Sequence, residues 1–366
     1  MRFYFLDGVR GIAALTVALY HFTQHSNLAV APLAYFAVDL FFVLSGFVIA
    51  FSYEQKILNG LSFSSFMTQR AIRLYPLFLI GLILGTAFLL VECSLGLTTA
   101  DQGQILLGSA VNLLYVPFLN SNSVTMFGDV VTGAIFPAND PAWSLFFELA
   151  VNIAFFFALK IGRWPLYIAT AAVFAVFLRL CLLDKGGLGW GADNILYGVP
   201  RVLAGFFAGV CVWHFLRSGR LAWSYGWIGR FSLPVALAII AFFLTVSFWP
   251  YDGRRVFTLA VAAAPFLVLA GAKVSLPRLD GFFSWLGALS YPVYCLHFPM
   301  MHLTNVVLHQ TGSTLAWWHV ALGLAATIAL SQLALVYWDA PLRTQLRRLL
   351  EHFQEKWRHG FPSGNA

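Results

Sequence analysis

Runs of about 20 mostly apolar residues recur along almost the whole chain, and this pattern limits what the chain can fold into. A helix needs about 20 such residues to cross a bilayer, and in lipid it satisfies its own backbone hydrogen bonds. Hydrophobic residues make up 60% of the 366 residues and charged residues only 10%, whereas soluble domains carry about 25% charged residues. These features exclude a soluble domain and predict an all-α polytopic membrane protein.

The apolar runs predict ten transmembrane helices. The predicted spans are residues 4–24, 33–52, 74–92, 141–159, 164–183, 194–216, 231–250, 256–272, 283–309 and 315–338. They form one predicted transmembrane domain over residues 1–340, which is followed by a basic amphipathic cytoplasmic tail over residues 341–366. Such a tail is typical of a helix that lies on anionic lipid.

The distribution of basic residues predicts the orientation. With ten spans and a cytoplasmic N-terminus, sixteen lysines and arginines fall on cytoplasmic segments and three fall outside, namely Lys185, Arg254 and Arg255. This positive-inside bias predicts a multi-pass protein of the inner (plasma) membrane with both termini in the cytoplasm. A further apolar run, 104–119, would invert every later span if it crossed, so we expect it to be re-entrant or interfacial. The net charge of +7 follows from this topology and implies no nucleic-acid partner.

The first span, Leu6 to His25, carries charged and titratable residues that a bilayer disfavours. A charged side chain there costs about 2.5–3.5 kcal/mol on insertion scales, so it needs a partner or a function. Arg10 and His21 are eleven residues apart, which is three helical turns plus about 20°, and Asp7 shares their face. Small residues that would let another helix approach closely flank this line: Gly11, Ala14 and Ala18.

A carboxylate of a later span is predicted to lie near His21. The sequence AWSLFFE places Ser144 and Glu148 one turn apart, in a helix expected to enter from outside with Asp140 as its N-cap. Glu148 would then lie about 10 Å below the outer boundary, at a depth similar to that of His21. Such a carboxylate would orient the imidazole as a general base; the alternative is a polar pair that only joins two helices.

Two arginines precede the third span in the sequence RAIRLYP. Arg70 and Arg73 fit an ordinary positive-inside flank and fit a phosphate site equally well, because guanidinium groups suit phosphates. Within spans lie Asp39 and, between two prolines of the ninth span, His297. For His297, a second polar site or a hydrogen-bonded core histidine is favoured over catalysis. The sequence has no zinc motif, P-loop or dinucleotide fingerprint, so no metal is expected.

Five short motifs in order resemble those of the acyltransferase type 3 family of integral membrane O-acyltransferases. They are LDGVRGIAALTVALYHF, in which ten residues separate Arg10 from His21, and then FFVLSGF, RAIRLYP, AWSLFFE and SYPVYCLH. The late sequence YWDAPLR departs from the family pattern, because Asp339 stands where a glutamate closer to the proline is expected. The resemblance covers most of the chain, and the ordered set of motifs is highly specific.

The resemblance implies an acyl-CoA donor on the cytoplasmic side, commonly acetyl-CoA, and a hydroxyl acceptor such as a sugar of an envelope or exported glycan or a lipid-linked sugar. It implies His21 as the catalytic residue and Arg70 and Arg73 as ligands of the CoA phosphates, with Tyr75 of the same motif beside them. No permanently bound cofactor is expected. Supporting roles are expected for Asp7, Asp39, Trp143, Ser144 and His297.

We therefore expect a membrane O-acyltransferase in which Glu148 orients His21 as the base for direct transfer, and Arg10 neutralises Asp7 or a phosphate. The pantetheine arm of the donor would follow the small residues of the first helix toward His21. The alternative from another functional class is a proton-coupled transporter that uses Asp7, His21 and Glu148 as a relay. A catalytically silent membrane scaffold would tolerate substitution of all three relay residues.

Overall fold

The computed structural model describes residues 2–24, 26–98, 100–119, 133–219, 229–250 and 253–360, and describes 351–360 by their backbone alone. These residues are almost entirely helical, with an isolated β-bridge between Ala134 and Gly191. The α-helices are α1 (Tyr4–Thr23), α2 (Phe36–Leu58), α3 (Phe63–Ser94), α4 (Gln102–Leu113), α5 (Ala142–Ile161), α6 (Arg163–Leu182), α7 (Ile195–Arg217), α8 (Ser232–Ser247), α9 (Arg254–Gly271), α10 (Asp280–Thr311), α11 (Trp317–Leu333) and α12 (Ala340–Gly360). A 3₁₀ turn (Pro277–Leu279) precedes α10, and a π-helical segment (Ala334–Asp339) joins α11 to α12.

The predicted all-helical membrane class is confirmed. Within the described ranges, seven helical stretches are long and apolar enough to cross a membrane. They are Phe36–Leu58, Phe63–Ser94, Ala142–Ile161, Arg163–Leu182, Ile195–Arg217, Arg254–Gly271 and Trp317–Leu350. The other three predicted spans coincide with α1, α8 and α10, of which α8 has only 16 residues. The number of ten spans therefore stays a prediction.

Helix α4 is too short to span a membrane. Its 12 residues rise about 18 Å, against about 30 Å of hydrocarbon. It runs antiparallel along α3: the hydroxyl of Ser109 lies 2.8 Å from that of Thr86, and the Tyr75 hydroxyl donates to the Leu113 carbonyl at 2.9 Å. This arrangement agrees with the expectation that residues 104–119 do not cross.

Helices α1 and α10 cross in close contact through small residues. A Cβ atom on Gly11 would lie 2.5 Å from the Leu286 carbonyl oxygen, so a larger residue would force the two backbones apart. Ala14 and Ala18 are fully buried and pack against apolar side chains of α10. The expected path of the pantetheine arm along these residues is wrong, because α10 already fills the space.

Helix α5 begins inside the bundle and not at its outer boundary. The preceding segment, 133–141, is buried except for the partly exposed Asp140. A Cβ atom on Gly85 of α3 would lie only 1.8 Å from the Ala138 carbonyl oxygen. Nine residues of α3 follow Gly85, so this contact, four residues before α5 begins, lies about 14 Å below the end of α3. Asp140 does not cap α5 as expected, since the cap position is Pro141.

Candidate active site

A cavity of about 860 Å³, including the space at its mouth, lies between α1, α2, α3, α5 and α10. Ser144 and Tyr294 lie at its deep end, and its arginines lie toward the end of the bundle where α1 begins and α2 ends, which we call the basic end. Its lining combines apolar side chains with nine polar ones: Arg10, Ser45, Arg70, Arg73, Ser144, Glu148, Ser290, Tyr291 and Tyr294.

All five motifs singled out in the sequence contribute to this cavity. The first supplies an arginine, the second a serine, the third two arginines, the fourth a serine and a carboxylate, and the last a serine and two tyrosines. These motifs lie on five different helices, so only the folded bundle brings them together. Their convergence makes the cavity the candidate active site.

Glu148 is paired with Arg70 in the wall of the cavity. Arg70 Nη2 lies 2.9 Å from Glu148 Oε1, and the Ser45 hydroxyl donates to the same oxygen at 3.1 Å. The expected contact of Glu148 with His21 is therefore wrong. Because α5 begins deep in the bundle, Glu148 lies closer to the basic end than a start at the outer boundary would place it.

The RAIRLYP motif places its two arginines on the cavity side of α3 and Tyr75 on another side. Arg70 is 8% exposed and is held by Glu148, whereas Arg73 is partly exposed and lies 5.4 Å from the centre of the Tyr291 ring. Tyr75 does not line the cavity; its hydroxyl binds the Leu113 carbonyl of α4. Two residues on from Arg73 is about 200° around a helix, so Tyr75 faces away from the expected phosphate site.

Arg10 is anchored to α10 and still lines the cavity. Its Nε donates to the Ser290 hydroxyl and its Nη2 to the Gly287 carbonyl, both at 2.9 Å. Asp7, one turn earlier, lies 3.4 Å from Arg10 and 3.0 Å from Arg2, so the predicted pairing of Arg10 with Asp7 is confirmed. The two guanidiniums neutralise the only acidic side chain of α1.

His21 lies beside His297 of α10, a contact that sequence reasoning missed. The Nε2 atom of His297 is 3.1 Å from Nδ1 of His21. His21 Nδ1 also lies 3.0 Å from the Val17 carbonyl oxygen. His297 Nδ1 lies 3.0 Å from the Val293 carbonyl oxygen. His297 is fully buried and His21 is half-buried; His25 lies outside the described residues.

These contacts select one arrangement of the imidazole hydrogens. A carbonyl oxygen only accepts hydrogen bonds, so we assign a hydrogen to Nδ1 of both rings. His297 Nε2 then accepts a hydrogen bond from His21 Nδ1, and the lone pair of His21 is on Nε2. This is the tautomer that a histidine needs in order to take a proton through Nε2.

Tyr294 lies between the cavity and the two histidines. Its hydroxyl is 2.8 Å from the Ser144 hydroxyl and donates to the Pro141 carbonyl at 3.2 Å. Its ring centre is 5.9 Å from that of His297, one turn further along α10. Neither histidine lines the cavity, which ends at Tyr294 and Ser144.

Asp39 and Trp143 belong to a different cluster, which holds α2, α5 and α7 together. Arg201 binds the Asp39 carboxylate through two hydrogen bonds of 2.8 Å: Nε donates to Oδ1 and Nη2 donates to Oδ2. The Arg201 guanidinium also lies 5.2 Å from the centre of the Trp143 ring. All three residues are buried, and none lines the cavity. Asp39 and Arg201 therefore form a buried, hydrogen-bonded ion pair, and Trp143 packs against its cation.

Asp339, the departure from the family pattern, is buried in the π-helical segment and forms an ion pair with Arg343 one turn later. Asp339 and Arg343 both interact electrostatically with Arg73. The start of α12 therefore lies close to the arginine that faces the cavity.

The relay required by the transporter alternative is not assembled among the described residues. Asp7 is paired with Arg2 and Arg10, and Glu148 is paired with Arg70 and Ser45. Neither carboxylate is bound to His21, so the three predicted relay groups do not form a chain.

Comparison with known proteins decides the family. The model of the family described as "Acyltransferase domain" matches residues 3–336. The chain belongs to this family. The Acyltransferase domain family is the one that the five motifs resemble, and membership makes the protein an acyltransferase and not a silent scaffold.

Three relatives illustrate the similarity. "Protein 2 in picA locus" of Rhizobium radiobacter is 38% identical over 172 residues, which cover 44% of this chain and 82% of the relative. "Putative peptidoglycan O-acetyltransferase YrhL" of Bacillus subtilis is 26% identical over 96% of this chain and 57% of its own length. "Peptidoglycan O-acetyltransferase OatA" of Listeria monocytogenes is 24% identical over 92% of this chain and 55% of its own length.

The chain thus spans little more than half the length of the two peptidoglycan O-acetyltransferases. No solved structure matches the chain. The relatives and the membrane-spanning helices together support a multi-pass membrane O-acyltransferase.

Proposed function

We propose that the protein transfers an acyl group, in the first instance acetyl, from acyl-CoA at the cytoplasmic side to a hydroxyl group of an envelope or exported glycan. The observation that carries the proposal is the convergence of all five motifs on one arginine-lined cavity whose deep end adjoins the His21–His297 pair. Both N- and C-termini are assigned to the cytoplasm of an inner-membrane protein by the positive-inside bias.

The arginines of the cavity suit a donor that carries phosphates. Arg73 and Arg10 face the cavity near the basic end, which the positive-inside bias places in the cytoplasm, where acyl-CoA is found. Arg70 is ion-paired with Glu148, so its charge is already neutralised. We therefore assign the CoA phosphates to Arg73 and Arg10, and to Arg70 with Glu148 the role of holding the cavity wall between α3 and α5.

His21 is the proposed general base. As the acceptor oxygen attacks the thioester carbon, its hydroxyl proton passes to Nε2 of His21, and His297 holds Nδ1–H in place. The new C–O bond forms, the C–S bond breaks, and the CoA thiolate takes up the proton. Because Tyr294 lies between the cavity and the histidines, its ring must turn aside for the thioester to meet an acceptor oxygen at His21.

The acceptor is assigned as a glycan hydroxyl on the strength of relatives. Two relatives that match over most of this chain carry the name peptidoglycan O-acetyltransferase. His21 is only partly buried, whereas His297 is fully buried, which favours His21 as the histidine that meets the acceptor. Arg10 keeps its ion pair with Asp7 and also binds the donor phosphates. The proposed reaction requires no permanently bound cofactor.

The test uses the purified full chain in lipid nanodiscs with radiolabelled acetyl-CoA and a panel of cellular glycans, lipid-linked sugars and small alcohols. The wild-type protein should transfer label to at least one acceptor. General-base assistance is worth about 10²–10⁴-fold, so His21→Ala should lose that factor in turnover. His309→Ala, at the exposed end of α10, is the control and should keep full activity. Wild-type turnover by His21→Ala would overturn the assignment of the base.

A further inference from the structure

A second cavity adjoins the first at the basic end, between α1 and α2. It measures about 660 Å³, including the space at its mouth. Arg10, Leu44 and Val48 line both cavities, so the two share one wall. The remaining residues of the second cavity are Arg2, Phe3, Leu6, Asp7, Phe51 and Ser52. The proposed reaction leaves this second cavity unused.

The second cavity combines aromatic rings with a cation. Phe3 and Phe51 both line it, with ring centres 5.4 Å apart. Nucleic-acid bases stack on such aromatic side chains, whichever base is present. The Arg2 side chain is 52% exposed, and a guanidinium offers bidentate donors to a phosphate. An aromatic surface beside an accessible arginine is the chemistry that recognises a nucleotide.

The charges around the two cavities favour a ligand with several phosphates. Four arginines line them, against two carboxylates, Asp7 and Glu148. Glu148 is matched by Arg70 alone, whereas Asp7 has two partners. Asp7 therefore stays paired with Arg10 when Arg2 turns toward a phosphate, and no carboxylate is left without a cation.

We infer that the second cavity is the nucleotide subsite of the acyl donor. The adenine lies against Phe3 and Phe51, the 3′-phosphate binds Arg2, and the diphosphate binds Arg10, where the cavities meet, and Arg73 of the first cavity. The pantetheine arm then occupies the first cavity and carries the thioester toward Ser144 and Tyr294. This inference rests on the proposed acyl-CoA function. If it is correct, the enzyme prefers acyl-CoA to an acyl carrier protein, because the carrier's phosphopantetheine arm has no nucleotide to bind in the second cavity.

The test combines shortened ligands with variants of the full chain in nanodiscs. Binding is measured by calorimetry with CoA, dephospho-CoA, which lacks the 3′-phosphate, and 4′-phosphopantetheine, which lacks the nucleotide. Arg2→Ala should weaken CoA binding about tenfold, as loss of a charge-assisted contact does, and leave dephospho-CoA unchanged. Phe3→Leu should weaken CoA and dephospho-CoA severalfold and leave 4′-phosphopantetheine unchanged. Arg278→Ala, exposed before α10, is the control and should change nothing.

The possible outcomes separate the subsite from the function. If wild-type protein binds none of the three ligands, the proposed donor itself is wrong. If it binds CoA but Arg2→Ala weakens all three equally, or only in nanodiscs with anionic lipid, Arg2 contacts lipid or acts at a distance, and the subsite is overturned. If Phe3→Leu fails to fold, as judged by gel filtration, the contrast between CoA and dephospho-CoA in Arg2→Ala decides alone.

Discussion

The Nε2 atom of His297 lies 3.1 Å from Nδ1 of His21. The Nδ1 atom of each ring also contacts the backbone carbonyl oxygen four residues earlier in its own helix, so Nδ1 carries the hydrogen in both rings. Two helices whose sequences are far apart thus determine which nitrogen of His21 carries the lone pair. His297 is fully buried and contacts His21, so in the proposed reaction it acts only through the His21 ring.

His297→Leu should reduce kcat by about 10- to 100-fold, by analogy with the loss of a group that orients a metal-bound histidine. Leucine fills the space but cannot accept the hydrogen bond from His21. His297→Gln should restore a large part of the activity, because its side-chain oxygen accepts that bond. Steady-state kinetics of both variants, at matched folded protein, make the comparison. Equal activity of the two would mean that His297 only packs the core.

Arg73→Ala should raise KM for acetyl-CoA about tenfold and leave kcat at saturating donor nearly unchanged, since a phosphate contact distant from the thioester contributes to binding. Arg73→Lys should have a smaller effect, because an ammonium keeps the charge but loses the bidentate geometry. Arg179→Ala, on an exposed position of α6, serves as the matched control. An unchanged donor KM in Arg73→Ala would contradict the assignment.

Arg70 and Glu148 should behave as a coupled pair. We expect Arg70→Ala, Glu148→Ala and the double variant to give a coupling energy of about 1–3 kcal/mol in the free energy of unfolding, because each partner compensates the other in a mostly buried wall. The more exposed Arg2–Asp7 pair should give about 0.2–1 kcal/mol. Denaturant titration in detergent measures both cycles. Additive effects at Arg70 and Glu148 would show that the ion pair does not contribute to stability.

The contact of α2 with α7 should depend on a glycine. A Cβ atom on Gly209 would lie 2.0 Å from the Val43 carbonyl oxygen, so Gly209→Ala must push the helices apart; we expect a loss of about 1–3 kcal/mol. Gly281→Ala, where nothing lies within 4 Å of the new methyl group, should be neutral or stabilise slightly, because alanine favours a helix. Thermal unfolding of the two variants tests this, and equal Tm values would count against close packing at Gly209.

The helices could be predicted from the sequence because each apolar run has the length and composition of a span. The depth at which α5 begins could not be predicted in the same way. Asp140 and Pro141 signal a helix start, yet nothing local states whether that start is at a boundary or inside the bundle. The apolar residues of 133–138 are the signal in the sequence that the segment before α5 is buried. The misplaced contact of Glu148 follows from this single assumption.

The site was predicted in part for a similar reason. Arg10 and Asp7 are one turn apart on α1, so their pairing follows from helix geometry. The contact of His21 with His297 joins residues 276 positions apart, and it depends on the register with which α1 crosses α10. That register is set by Gly11 and its neighbours, which reveal that some helix packs closely but not which one. Tyr75, by contrast, could have been excluded by the helical wheel alone.

Residues 133–141 enter the bundle as far as Gly85 of α3, and this position limits how far a donor can reach across the bilayer. This buried stretch adjoins the deep end of the arginine-lined cavity, because the hydroxyls of Ser144 and Tyr294 both bind the Pro141 carbonyl. In the proposed reaction, a bulky anionic thioester therefore enters only part-way and withdraws on the side from which it came. Only the small fragment that it delivers changes sides.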